Sequence, residues 1–379
     1  MFEDIRPYND SEISSAMQRI VDNPHFPKLA SFVFPHLSTD ETREMVLGIN
    51  NIDEFQYKVM HQVNLRIIEE SISEFTYSGL ERIAPQCNYL YVSNHRDIML
   101  DASLLQSVFI TKNLSTTEIT FGANLMKGQI VIDVGKSNKM FKVERPGGGI
   151  KEFYKASKHL SDYIRMTLKD KKESVWIAQR NGRTKDGIDR TDQGIINMFR
   201  MSSDDDKVNA ISDLNIVPVA VSYEWEPCDL LKVMELYISN HHQGTYVKKE
   251  GEDLNSILTG IVQYKGKVHF SICEPITTED LVPYADLQSS EFNRKVAGLI
   301  DKRICTEYVL THNNYIAHDI LNETTQYSSH YTHEEYESFI THLDSLNAYA
   351  DSCDVDEMKQ ILLGIYANPV ESKTYFSQL

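Results

Sequence analysis

Between Tyr91 and Asp101 the chain reads YVSNHRDIMLD, so that a histidine, an arginine and two aspartates follow directly on a short apolar run. Several chemistries use such residues. His-Arg-Asp has the form of a protein-kinase catalytic loop, but that loop holds magnesium through an asparagine four or five residues past its aspartate. Asp101 and Ala102 stand there instead, with no glycine-rich loop upstream and no Asp-Phe-Gly downstream. His95, Asp97 and Asp101 could ligate a metal, although no second histidine lies near and His241-His242 lacks the i, i+4 spacing of a helical metal pair. The histidine could simply cap a helix or satisfy backbone groups. It could also be a general base, because imidazole titrates near neutrality, with Asp101 or Asp97 as the carboxylate that orients it.

Which chemistry applies depends on the elements around the stretch. NYLYVS is a β-like run and DASLLQSVFI has helical apolar spacing, which puts His95 at the carboxyl end of a strand, where ligands gather in open α/β sheets. Further short runs, EITF, SVWIA, IVPVAVSY, IVQY and KVHFSI, continue to Ile276, the last two flanking a turn expected at Lys265-Gly266. Between them GGGIKEFYKASKHLSDYIRMTL places Ile150, Phe153, Leu160, Ile164 and Leu168 on one stripe. This alternation predicts an α/β domain over 81–280, a mostly parallel central sheet flanked by helices. Helical N- and C-terminal extensions are expected over 1–80 and 281–379. The first contains DSEISSAMQRI and the periodic EFQYKVMHQVNLRIIEESISEF; the second contains HEEYESFITHLDSLNAYA and VDEMKQILLGIYAN, the latter expected to stop at Pro369.

Composition narrows the function. The 379 residues carry a formal charge of −17, which argues against nucleic acid as a partner. Lys136 to Arg190 nevertheless holds 15 Lys and Arg against seven Asp and Glu, a local balance of +8 that leaves −25 on the remainder. Seven of these cations, Lys151, Lys155, Lys158, Arg165, Lys169, Lys171 and Lys172, follow a helical pattern and read as a solvated face; the others suggest an anionic substrate held in one place. Five widely spaced cysteines without a CxxC pair suggest neither a zinc site nor a disulfide framework, so a reducing cytoplasm is expected. The amino terminus has no signal-like pattern and no apolar run approaches the roughly 18 residues of a spanning helix. Any membrane contact is therefore expected to be peripheral, on the inner face, with LASFVFPHL (29–37) as the best surface candidate beside core packing.

The Asn-His-Arg sequence ending in Leu-Asp at the close of an apolar strand resembles the first motif of the glycerolipid acyltransferases, which acylate glycerol 3-phosphate and lysophosphatidate. Three further blocks follow in order. FGANLMKGQIVIDVGKSNKMFKVERPGG resembles the second, with Phe141 and Arg145 at its phenylalanine and basic residue. VWIAQRNGRTKDG resembles the third, with Gly182, Arg183 and Lys185 at its glycine, arginine and following base. IVPVAVSY resembles the fourth, with Pro218. Together they span roughly residues 88 to 223. Two departures stand out: five residues, Arg96 to Leu100, separate His95 from Asp101 where the family has four, and Asn181, preceded by Arg180, replaces a glutamate before the glycine. Neither His–Asp spacing puts both groups on one face of a continuous helix, so the histidine must sit in the turn ahead of it.

The resemblance implies an O-acyltransferase of the phospholipid-biosynthesis type. His95 would deprotonate the acceptor hydroxyl as it attacks an acyl thioester, and Asp101 would fix the imidazole tautomer, with Asp97 as its rival. Arg145, Arg180, Arg183 and Lys185 would hold the acceptor phosphate. The implied partners are an acyl-CoA or acyl-carrier-protein thioester, as co-substrate, and a phosphorylated glycerol or lysophospholipid. No metal or other cofactor is implied, and no enzymic serine or cysteine nucleophile, in keeping with the lack of a Gly-x-Ser-x-Gly elbow. A catalytically impaired lipid- or phosphate-binding protein on the same fold, or an acyltransferase for another acceptor, is the alternative.

Overall fold

The buried apolar runs pair into one seven-stranded sheet. The computed structural model describes residues 2–144, 149–242 and 246–378. Its strands are β1 (Ile72–Ser78), β2 (Leu90–Ser93), β3 (Thr117–Gly122), β4 (Met140–Val143), β5 (Ser174–Ala178), β6 (Ile216–Tyr223) and β7 (Gly266–Ile272). They lie in the order β1-β7-β6-β2-β5-β3-β4. From β6 to β4 the neighbours are parallel; β7 is antiparallel to β6 and parallel to β1. The mostly parallel α/β fold expected from the sequence is thus present, and β2 and β6 read as unbroken apolar runs because helices cover both of their faces.

Alternate residues of the central strands supply two separate cores. Leu90 and Val92 of β2, with Val175 and Ile177 of β5, face a layer made by helices Ile150–Met166, Gln193–Arg200 and Ser289–Glu307. Tyr91 and Trp176 point the other way, toward Leu100, Leu104, Leu105 and Phe109 of helix Leu100–Thr111. Helices Asp10–Val21, Phe26–Val33 and Thr39–Leu47 close around a third core, and His312–Leu321, His333–Asp344 and Val355–Ser377 around a fourth. Of LASFVFPHL, Ala30 packs in the third core and Phe34 is buried, Phe32, Val33 and Leu37 are half-buried, and Leu29 alone of its large apolar side chains is well exposed.

Four local expectations are corrected. SISEF, read as the end of a helix, begins β1, whose alternating burial and ladder to β7 fit an edge strand. IVQY is not a strand: Ile261 and Val262 end helix Glu252–Val262, so the hairpin about Lys265-Gly266 does not form and β7 enters the sheet alone. MFKV forms β4, which the sequence reading did not separate from its surroundings. Helix Val355–Ser377 runs through Pro369 rather than stopping there. Proline removes the N–H that would bind the carbonyl four residues earlier, that of Ile365. That carbonyl oxygen packs onto Gly187, so closely that a Cβ at 187 would run into it, and Gly187 has a left-handed φ of +76°.

The loop after β5 is also anchored by a half-buried acid. Asp301 Oδ1, in helix Ser289–Glu307, accepts from Thr191 N at 2.7 Å and Thr191 Oγ1 at 2.6 Å. Burial, which outweighs those bonds, raises its pKa to about 6. The carboxyl is protonated in both folded and unfolded chains below about pH 4, whereas above about pH 6 the folded protein must bury the charge. Stability should therefore fall by up to about 3 kcal/mol as pH rises through that window. Asp301→Asn keeps the acceptor and removes the charge; urea unfolding should show it more stable than wild type at pH 8 and no more stable at pH 4.5.

Candidate active site

β2 ends at Ser93, and the next residue continues the sheet with its side chain. Asn94 is buried; its Oδ1 accepts from Val221 N at 2.8 Å and its Nδ2 donates to Val221 O at 3.0 Å. One residue later the chain leaves the plane, and helix Leu100–Thr111 starts after a tight turn. Asp97 Oδ1 caps that helix, accepting from the N–H groups of Met99 and Leu100 at 2.9 Å each. The extra residue between His95 and Asp101 is taken up in this turn.

Inside the turn Asp101 is wholly buried and faces four donors. Its Oδ2 lies 3.0 Å from His95 Nδ1, 2.7 Å from Arg96 N and 2.9 Å from Asp97 N. Its Oδ1 accepts from the Tyr223 hydroxyl at 2.9 Å. With the carboxylate ionised, Nδ1 is the donor, which leaves Nε2 as the basic nitrogen. Asp97 bonds its own helix start rather than the imidazole, and its Oδ2 is buried against Gly260 without a partner among the described residues. The geometry thus pairs His95 with Asp101 and not with Asp97.

A ring of buried charge fixes the turn from below. Arg96 is buried; it donates to Asp189 Oδ2 at 2.7 Å and Glu226 Oε2 at 3.3 Å, and its guanidinium lies over the Tyr308 ring. Lys232, also fully buried, donates to the Arg96 carbonyl at 2.7 Å and to Glu226 Oε1 at 2.5 Å. Asp189 accepts in addition from Asn94 and Thr184, and Thr184 N donates to the His95 carbonyl at 2.6 Å. The loop after β5 is therefore tied under the loop after β2. Helix Val355–Ser377 joins the same network: the Tyr366 hydroxyl donates to Asp229 and accepts from Glu226 N. Burial alone would raise the Asp229 pKa, but bonds from His342, Tyr366 and Leu230 N outweigh it and hold it below the usual range.

His95 opens onto a cleft of about 460 Å³. Part of the wall is apolar, from Phe153, Leu160, Ile195 and Met198; part is polar, from Arg180, Asn181, Arg183, Lys248 and Asp253. Trp176 forms the wall beside the histidine, ring centroids 6.0 Å apart and nearly perpendicular. Arg183 is mostly buried, and its Nη1 has no partner among the described residues, as expected of a cation awaiting an anionic ligand. Burial would raise the Asp253 pKa, but Lys248, Asn124 and Arg183 together lower it, so this acid stands ionised at the rim.

Of the four cations read from sequence, the structure brings Arg180 and Arg183 to the cleft. Lys185 is not in its wall; it forms an ion pair with Glu235, because the loop turns away after Gly182 (φ +77°). Arg145 lies outside the described residues, as do Gly147 and Gly148. Phe141 is a buried core residue of β4. Trp225, read from sequence only as core or pocket wall, packs against Phe339 and Tyr366 in the C-terminal layer. Sequence reasoning missed Asp189, Tyr223, Glu226 and Lys232, and gave Asn94 no role beyond its place in the Asn-His-Arg sequence. A polar residue closing an apolar run, as Tyr223 closes IVPVAVSY, was the one signal available.

The arrangement is a histidine–carboxylate pair at a sheet's carboxyl edge, with no serine or cysteine bonded to the imidazole among the described residues. Residues 74–222 match the Acyltransferase family, and this segment contains β2, the turn that carries His95 and Asp101, and the loop after β5. The matched segment covers about two fifths of the chain and contains nearly all of the four blocks read from the sequence. No curated protein gives a significant match. Among solved structures, the crystal structure of the 1-acyl-sn-glycerophosphate (LPA) acyltransferase PlsC from Thermotoga maritima is similar, with 12% identity and a TM-score of 0.37 over 76% of this chain and 94% of that one.

The contact of Ile365 O with Gly187 offers a test of how far the C-terminal helix governs this site. Gly187→Ala adds a Cβ at a left-handed φ and against a backbone oxygen, and should destabilise the protein by about 2 kcal/mol or more in urea unfolding. Turnover by the remaining folded enzyme should fall, since Arg96 Nη2 also binds the Gly187 carbonyl.

Proposed function

We propose that the protein transfers a fatty acyl group from a CoA or acyl-carrier-protein thioester to the hydroxyl of glycerol 3-phosphate or a lysophospholipid. The observation that carries this reading is one geometry: a cleft-lining His95 whose Nδ1 is held by buried Asp101, with Arg183, its Nη1 without a partner among the described residues, in the same wall. An alcohol is a weak nucleophile at neutral pH. His95 Nε2 takes the hydroxyl proton as the oxygen attacks the thioester carbonyl, and Asp101 stabilises the resulting imidazolium through Nδ1–H. The tetrahedral intermediate collapses with loss of the thiolate, which receives the proton back from Nε2. Asp101 keeps its charge throughout.

Arg180 and Arg183 bind the acceptor phosphate, while the apolar wall at Phe153, Leu160 and Met198 takes the acyl chain. Lys185, committed to Glu235, is left out of the phosphate set. Among the described residues no helix is long and apolar enough to cross a membrane. A lipid acceptor would then be met through peripheral contact.

Thiol release from an acyl thioester, measured with and without glycerol 3-phosphate or lysophosphatidate, tests the activity; tight acceptor binding without turnover would favour a binding protein. His95→Ala should lower kcat by roughly 10²–10⁴. Arg183→Ala removes a charge-assisted contact and should raise the acceptor KM about tenfold or more, with the donor KM within about twofold. Lys185→Ala should change the acceptor KM far less, and equal effects at the two positions would refute the assignment.

A further inference from the structure

Tyr223 lies one residue beyond the family-matched segment, at the end of β6, and contributes nothing to the cleft wall. It is nevertheless fully buried, and its hydroxyl donates to the one carboxylate oxygen that the catalytic turn leaves free, Asp101 Oδ1. The turn itself, through His95 Nδ1 and two peptide N–H groups, binds only Oδ2. A carboxylate held at one oxygen can swing about its Cβ–Cγ bond; held at both, it cannot. We propose that Tyr223 is a positioning residue for the acyl-transfer reaction, fixing the plane of Asp101 and setting how much of its charge reaches His95. This rests on the reading of His95 and Asp101 as base and orienter.

The chemistry of the contact points one way. Burial first, and then the neighbouring Asp101, raise the Tyr223 pKa well above the ordinary phenol, so the group stays a neutral donor. Each donor to a carboxylate draws charge from its other partners, so the phenol moderates the pull of Asp101 on the imidazole. The chain order also fits: Tyr223 and Asp101 are 122 positions apart, and the bond exists only because β6 lies directly beside β2. Other charged or titratable groups surround the pair. Asp97 comes from the turn, with Cys228 and Lys265 acting on it, Glu226 from the chain after β6, with Arg96 and Lys232 paired to it, and Tyr308 lies against the Tyr223 backbone. None of these is altered by removing the phenol oxygen.

The test replaces Tyr223 by Phe and follows His95 by NMR, its ring signals assigned by comparison with His95→Gln. Loss of the hydroxyl should move the His95 titration midpoint up by half a unit or more and shift the downfield Nδ1–H resonance. The acid limb of kcat/KM should move up by the same amount, and plateau kcat should fall about tenfold with both KM values within twofold. Fluorinated tyrosine at 223, a stronger donor of nearly the same shape, should move the midpoint down; it serves also if the Phe variant folds poorly. An unmoved midpoint in both variants, with only a lower Tm, would overturn the proposal. Because the NMR titration needs no turnover, loss of the acyltransferase reading would show separately, as wild-type enzyme whose His95 titration responds to Tyr223→Phe but which releases no thiol from the acyl thioester with any acceptor.

Discussion

A carboxylate with no solvent contact has to be surrounded by donors, and the architecture around Asp101 follows from that requirement. Two donors are peptide groups of the turn just before it, which forces the chain to curl back over the start of helix Leu100–Thr111. A third is the imidazole, brought round to the same oxygen and thereby aimed with its other nitrogen toward the cleft. The fourth comes from a different strand. Satisfying one buried charge therefore shapes the turn, orients the histidine and ties β2 to β6.

The turn in turn rests on a buried assembly of two cations and two anions, Arg96 and Lys232 with Asp189 and Glu226. Buried pairs of this kind gain little stability over apolar packing, but losing one member leaves a stranded charge at a cost of about 3–5 kcal/mol. Their value is geometric. Asp189 arrives on the loop after β5, Glu226 and Lys232 on the segment after β6, so the three carboxyl-edge loops cannot shift independently. The C-terminal helices, which carry no candidate catalytic group, share in this through Tyr366 and through the Ile365 carbonyl freed by Pro369. A residue that would ordinarily end a helix here exposes an acceptor where another loop packs.

The cleft joins two environments. Its apolar wall comes from helices Ile150–Met166 and Gln193–Arg200, its polar wall from the loop after β5 and from the approach to helix Glu252–Val262. The same arginine that stands without a partner at one nitrogen also helps keep Asp253 ionised at the rim. Anionic and apolar parts of one ligand could thus be held on either side of the imidazole.

Much of this was legible in the sequence. Unbroken apolar runs announced buried strands, three-and-four spacing announced helices, and YVSNHRDIMLD announced a histidine at a strand's end beside two candidate acids. Those are local properties, carried by residues within a turn or two of each other. The sequence did not decide between Asp97 and Asp101, because both lie close enough and only the start of helix Leu100–Thr111 consumes one of them. Nor did it separate Arg183, left open to the cleft, from Lys185, neutralised by Glu235 fifty positions away. IVQY looked like a strand until the helix before it claimed its first residues, and Pro369 looked like a stop until tertiary contacts used the freed carbonyl. The sequence by itself determined the elements and the chemical types at the site; the tertiary structure alone decided the partners. Pairing depends on distance between groups remote along the chain, and distance is settled only when the sheet has assembled.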